Sequence, residues 1–242
     1  KILTNSIENA QSKVEARNFA IRKNVLQYDD VMNRQREIIY AQRSKVLDGE
    51  DVSGVIQKMI EEDVTSTVDQ YLADKDDHRN WNIQGLRDHY ANWILTLDDL
   101  QYTPEELEKV TEAEILDFVL NERAKKIYAS RESRFTPQIM REVERVVLLQ
   151  NVDTKWMQHI DDMEELKRGI GLRGYAQRDP AVEYRIEGFE MFDAMILAIR
   201  EDTVKMMYSF RLQTNQAPKR QQVAKPTSES GSKEYSGQLS AA

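Results

Sequence analysis

The chain contains no cysteine, so neither a disulfide framework nor a thiolate zinc site can be assembled from its 242 residues. Histidine is nearly as scarce. His78, His89 and His159 lie far apart without H-x-x-x-H spacing, which argues against a metal centre. No run approaches the roughly 18 apolar residues of a membrane-spanning helix, and no secretory signal core opens the chain, which points to a soluble protein. Positive charge is in deficit: 34 Lys and Arg stand against 42 Asp and Glu, a formal net charge of −8. A surface of that sign does not neutralise phosphates, so no nucleic-acid partner is expected. Catalytic signatures are missing as well. There is no Ser/His/Asp or Cys/His constellation and no G-x-x-x-x-G-K-[ST] phosphate loop, so the chain alone is expected not to hydrolyse a nucleotide. It begins at Lys1, inside what reads as a helix, and this suggests a piece of something longer.

Proline and glycine are sparse, and between Ile7 and Val46 both are absent. Apolar residues recur there as Ile7, Ala10, Val14, Ile21, Val25, Tyr28, Met32, Ile39 and Val46, in steps of three, four and seven. This spacing predicts one helix of about 40 residues, roughly 60 Å long. A second line, Phe19, Leu26, Val31 and Ile38, widens the apolar arc, so partners are expected on more than one side. Asp48-Gly49 and Ser53-Gly54 end the pattern, and Val52, Ile56, Met59, Ile60, Val64, Val68 and Tyr71 mark the next helix. Residues 81–102 are rich in aromatics, and Thr103-Pro104-Glu105-Glu106 and Thr111-x-x-Glu114 have the spacing of capping boxes. Together, 48–135 read as a small helical subdomain.

Thr136-Pro137 opens a further amphipathic stretch that runs to Gly169, and Asp179-Pro180 opens its partner, which carries Ile186, Phe189, Phe192, Ile196, Ile199 and Met206. Two helices of about 30 residues joined by about ten make an antiparallel hairpin over 136–211. Trp156 and Met157 are expected to pack on the long first helix. Met191, Met195, Met206 and Met207 read as core filler, and Asp161, Asp162, Glu164 and Glu165 as solvated. Asp29 and Asp30 are expected to pair along their own helix or to reach a neighbouring element. From 212 to 242 periodicity stops and Gln, Ser, Lys, Pro and Ala dominate, which reads as a disordered tail. The fold class is all-α: one very long helix, a small helical subdomain and a long helical hairpin.

The loop 169–180 connects the hairpin. Gly169, Gly171 and Gly174 satisfy G-x-G-x-x-G, but a dinucleotide site needs a strand before the glycines, and none is present. The glycines read instead as turn residues at the tip. A tip that only reverses direction can be short and polar. Leu172, Arg173, Tyr175 and Arg178, with Gln177 in the same loop, favour a contact surface there.

Several segments together resemble the C-terminal helical half of SecA, the motor ATPase of preprotein translocation. They are Ser6–Glu15, Asn18–Lys23, Leu26–Met32, Arg36–Tyr40, Val152–His159 and Gly169–Gln177. The similarity runs from residue 1 to about 211 and is strongest over the first 45 residues and over 145–210. It implies that 1–47 is the helical scaffold, 48–135 the helical wing and 136–211 the two-helix finger. By the same resemblance the finger tip, with Leu172, Arg173, Tyr175, Gln177 and Arg178, would contact the SecY channel complex and an unfolded preprotein. The family's N-terminal motor domains, which use ATP and magnesium, are not in this chain, so no cofactor is expected within it. The resemblance also implies a cytoplasmic location, peripheral to the bacterial inner membrane. Many members end in a Cys/His zinc-binding tail; the tail here carries no cysteine, so that zinc function is either truncated away or never present. Two roles stay open: a lever that carries ATP-driven motion to the preprotein, and a regulatory scaffold that restrains the ATPase of the motor domains. An autonomous nucleotide-binding protein is a third reading, and it would require the chain alone to bind ATP or NAD.

Overall fold

With neither glycine nor proline between Ile7 and Val46, no residue breaks the backbone, and the computed structural model has a single helix α1 from Ile2 to Leu47. The structure describes residues 2–74, 77–173 and 179–210. At 1.5 Å per residue, α1 is about 70 Å long. Gly49, at φ 86°, turns the chain after it. Next come α2 (Ser53–Tyr71), a short 3₁₀ turn (His78–Asn80), α3 (Ile83–Tyr90), α4 (Pro104–Leu107) and α5 (Glu112–Asp117). A π-helical segment, Phe118–Lys125, leads into α6 (Lys126–Phe135), followed by α7 (Pro137–Arg173) and α8 (Pro180–Ser209). Among the described residues β-structure is limited to one isolated bridge, between Ala91 and Leu95.

Local chemistry sets the small helices. At α4, Glu106 N–H donates to Thr103 Oγ1 at 3.3 Å while Thr103 N–H donates to Glu106 Oε2 at 2.8 Å, a reciprocal capping box. Thr111 and Glu114 repeat it at α5. Both boxes follow the sequence pattern. The aromatic segment does not form one helix: α3 stops at Tyr90, and positive φ at Asn92 and Leu100 turns the chain.

Residues 48–135 share their core with the hairpin. One apolar cluster runs from Ile39 through Ile56, Val64, Leu86 and Leu95 to Ile199 and Tyr208. Arg131 of α6 fixes this junction: its guanidinium donates to the carbonyls of Met207 at 3.2 Å, Phe210 at 3.3 Å and Tyr208, and lies 5.0 Å from the Phe210 ring centre. A cation at that place complements the C-terminal dipole of α8.

Asp63 of α2 is buried within this junction, 2% exposed, where Tyr90 Oη donates to its Oδ2 at 3.3 Å. Burial, and then the charge of Glu201, push its pKa up to about 6 against the lowering effects of Tyr90 and Arg200. The folded value therefore lies above that of an unfolded Asp, near 3.9. The folded state holds the extra proton, so the stability linked to this group is full below about pH 4 and is lost as pH rises through about 6. Asp63→Asn keeps an acceptor for Tyr90 and removes the titration. Urea unfolding at pH 7 should show the variant more stable by on the order of 2 kcal/mol, with the difference closing by pH 4. A pH-independent difference would contradict the assignment.

Candidate functional site

The hairpin is held by contacts that fall along α8 as they rise along α7. Asn151 Nδ2 donates to Thr203 Oγ1 at 3.2 Å, Lys155 pairs with Asp202 at 2.7 Å, and the His159 and Phe192 rings stand 5.8 Å apart. Closer to the tip, Gly188 faces Met163: a Cβ at Gly188 would lie 2.7 Å from Met163 Cε and 3.7 Å from Val31 Cγ1. Glycine in mid-helix costs about 1 kcal/mol relative to alanine. Here it lets three helices approach.

The long helix lies along this hairpin. Against α7 its contacts run antiparallel: Arg43 with Asp153 at 2.9 Å, the Tyr40 and Trp156 rings at 6.4 Å, and Lys167 with Asp29 at 3.3 Å. Against α8 they run parallel, from Tyr28 with Tyr184, ring centres 4.5 Å apart, to Gln35 with Gly188. Asp29 thus reaches across to α7 while Asp30 pairs with Arg34 along its own helix at 3.0 Å, so both expected arrangements occur. Trp156 is buried as expected, but Met157 is 63% exposed, because one step along the helix turns it away from α1. Met195 and Met207 are buried, and Asp161, Asp162, Glu164 and Glu165 are exposed.

Where the three helices meet, polar groups occupy the core. Gln35, 6% exposed, donates from Nε2 to the Gly188 carbonyl at 2.8 Å, and its Oε1 lies 3.0 Å from His159 Nε2. Burial lowers the pKa of His159. Sequence reasoning alone passes over these three residues. Their signal is positional: Gln35 falls in the inward-facing stripe Tyr28, Met32, Ile39, Val46, His159 between Trp156 and Met163, and Gly188 between Tyr184 and Phe192. Each is a break in an apolar row.

Toward the tip a second apolar cluster forms from Tyr28, Met163, Ile170, Ala181 and Tyr184. Burial, and then the charge of Asp29, raise the Tyr184 pKa to about 12. Helix α7 does not end at Gly169, as the glycine pattern suggests. It continues through Gly169, Gly171 and Leu172 to Arg173, because Ile170, 1% exposed, extends the buried face and outweighs the cost of two helical glycines. The interval between the two helices, expected over 169–180, is thereby reduced to 174–179. Gly174, Tyr175, Gln177 and Arg178 lie outside the described residues, as does the tail 212–242. Helix α8 begins where expected, with Asp179 Oδ1 accepting from Ala181 N–H at 2.9 Å and Pro180 in the first turn.

The buried arc of α1 is shorter than its apolar pattern. Tyr28, Ile39 and Val46 are buried, but Ile7, Val14, Phe19, Ile21, Val25, Leu26 and Ile38 are 40–72% exposed. Nothing in the described chain covers the first half of that helix. Among the described residues no group of three or more His, Cys, Asp or Glu side chains is placed to hold a metal ion.

A family model described as the SecA wing and scaffold domain matches residues 1–211. The protein translocase subunit SecA of Acetivibrio thermocellus is 43% identical over 234 residues, 97% of this chain and 26% of that protein. Its counterpart in Clostridium tetani is 48% identical over 228 residues, 94% of this chain and 27% of that protein. Protein translocase subunit SecA 1 of Clostridioides difficile is 47% identical over 214 residues, 88% and 23% respectively. The chain spans about a quarter of the length of the curated relatives it matches.

Replacing Ile170 by Ala should cost about 2–5 kcal/mol locally and loosen the distal end of the hairpin rather than the whole fold. Hydrogen exchange would then accelerate over residues 163–173 and 180–185 and stay unchanged around Asn151 and Thr203. Uniform acceleration along both helices, or none, would argue against a separate distal cluster.

Proposed function

The chain belongs to the SecA wing and scaffold family, and from that membership we propose that it is the mechanical C-terminal part of a protein-translocating ATPase. ATP-driven movement in motor domains elsewhere in the parent protein passes along α1, the scaffold, to the α7–α8 hairpin, the finger. The tip, with Leu172, Arg173, Tyr175, Gln177 and Arg178, meets an unfolded preprotein at the SecY channel. An aromatic ring at such a tip grips a passing chain without demanding a sequence. ATP and magnesium belong to the motor domains.

The seating of the finger on α1 carries this reading. Contacts spread from Tyr28 to Arg43 tie both finger helices to one rigid rod, the arrangement a lever needs. The bare first half of α1 supports the motor-domain partner, since a stripe with Phe19 at 72% and Leu26 at 70% exposure is a surface that another domain would cover. Among the described residues no helix is long and apolar enough to cross a membrane, which fits attachment through a channel complex at the cytoplasmic face.

The same bare surface favours a second role, restraint of the motor domains' ATPase by the scaffold. The two roles are compatible. Mixing this chain with an isolated motor fragment should suppress hydrolysis if restraint operates, and absence of binding would count against it. For the lever, Tyr175→Ala in the full-length protein should lower translocation about tenfold, the loss of one aromatic anchor of roughly 1.4 kcal/mol, with basal ATPase and fold intact. Undiminished translocation would exclude the tyrosine from the contact.

A further inference from the structure

We propose that Gln35 is a positioning residue that locks the finger hairpin in a single register on the scaffold helix, so that motion of one is transmitted to the other without slip. The proposal deepens the lever reading above and rests on it for its functional consequence.

Three helices converge on this one side chain. Gly188 offers only a carbonyl, so the Gln35 amide must turn its Nε2 toward α8. Its Oε1 then faces His159 of α7, which must carry its proton on Nε2 to donate across the 3.0 Å separation. The orientation of the amide and the tautomer of the imidazole are thereby fixed together. Gln35 is 6% exposed and His159 3%, so water does not replace a lost partner cheaply.

The position of this polar node matters more than its strength. It sits between two apolar clusters, with Tyr28, Met163, Ile170 and Tyr184 on the tip side and Ile39, Trp156, Phe192 and Met195 on the other. Apolar contact is non-directional. A helix can slide one turn, about 5 Å, and again bury apolar side chains. A slide of that size would carry Gln35 away from both Gly188 and His159 and leave buried donors and acceptors unmatched. A single core amide sets register in paired helices in this way, at a cost in stability. The missing Cβ at Gly188 completes the device, because α1 and α7 can approach closely enough for the amide to reach the backbone.

The test exploits the absence of native cysteine. Nitroxide labels at Gln27→Cys, at the start of the packed half of α1, and Asp193→Cys on α8, both exposed positions, report the register as a distance by pulsed dipolar spectroscopy. The unsubstituted core should give one narrow distance. Gln35→Leu with His159→Phe, which makes the buried seam all-apolar and leaves only the exposed, weakly holding pairs Arg43–Asp153 and Asp29–Lys167, should retain helix and unfolding midpoint while the distance broadens or splits by about 5 Å. His159→Gln, which restores a donor near the Nε2 position, should keep the single distance. A narrow, unchanged distance in the all-apolar variant would overturn the proposal. If that variant fails to fold, Gln35→Met is judged by the same distance, and loss of helix in both would also overturn it, since the node would then hold the fold rather than the register.

In the full-length protein, the all-apolar variant should keep nucleotide turnover and lose about tenfold in polypeptide moved per nucleotide. An unchanged yield beside a broadened distance would likewise refute transmission through Gln35. A full-length protein with native residues that moves no polypeptide would count against the lever reading itself and leave the register measurement standing.

Discussion

Between Tyr28 and Val46 the long helix has a neighbour on each side, and the contacts in that seam join three segments far apart in the chain. Tyr28, Ile39, Trp156, Met163, Tyr184 and Phe192 are all buried there, each worth about 1.5–3 kcal/mol when fully removed from water. Outside the seam the situation reverses. The first 25 or so residues of α1 rely on helix propensity and on continuity with the buried half, and an isolated helix of that length is marginal in water. The rod is firm where the hairpin lies along it and weaker where its apolar stripe is bare. Whatever covers that stripe in a longer protein therefore also completes the helix that it would act through.

Residues 48–135 contribute differently. They do not touch the seam through one contact but share its core, and their attachment ends at α8, where Arg131 caps the last carbonyls and Tyr208 Oη donates to the Ala124 carbonyl at 3.0 Å. Asp63, kept from ionising easily by burial, lies in the same junction. Polar groups thus mark both places where α8 meets another body, Gln35 on one side and Asp63 with Arg131 on the other. Apolar area supplies the adhesion, and hydrogen bonds select the geometry.

Much of this was legible in the residues. The capping boxes at Thr103 and Thr111, the Asp179-Pro180 start and the proline-free run of α1 are local signals, and local signals survive folding. Failures came where distant burial overrode local preference. Gly169 and Gly171 are poor helix residues, yet the burial of Ile170 keeps α7 helical past them. Met157 shares its apolar character with Trp156 but not its direction. The apolar arc of α1 shows that something packs there without showing whether this chain supplies it. Gln35 is more than 120 residues from both His159 and Gly188, and each of the three looks like an ordinary lapse in an apolar stripe until the helices are brought together. No local rule pairs them.

The π-helical segment Phe118–Lys125 holds a last implication. It winds more loosely than the helices on either side, a geometry that absorbs an extra residue while leaving the following turns facing the same way. Within α6 itself, ahead of Arg131, gaining or losing a residue would swing Arg131 by about 100° and off the end of α8. At Phe118–Lys125 the chain can lose one residue by reverting to ordinary winding. That stretch is the link at which a one-residue change in length would leave the docking of α6 on α8 in phase.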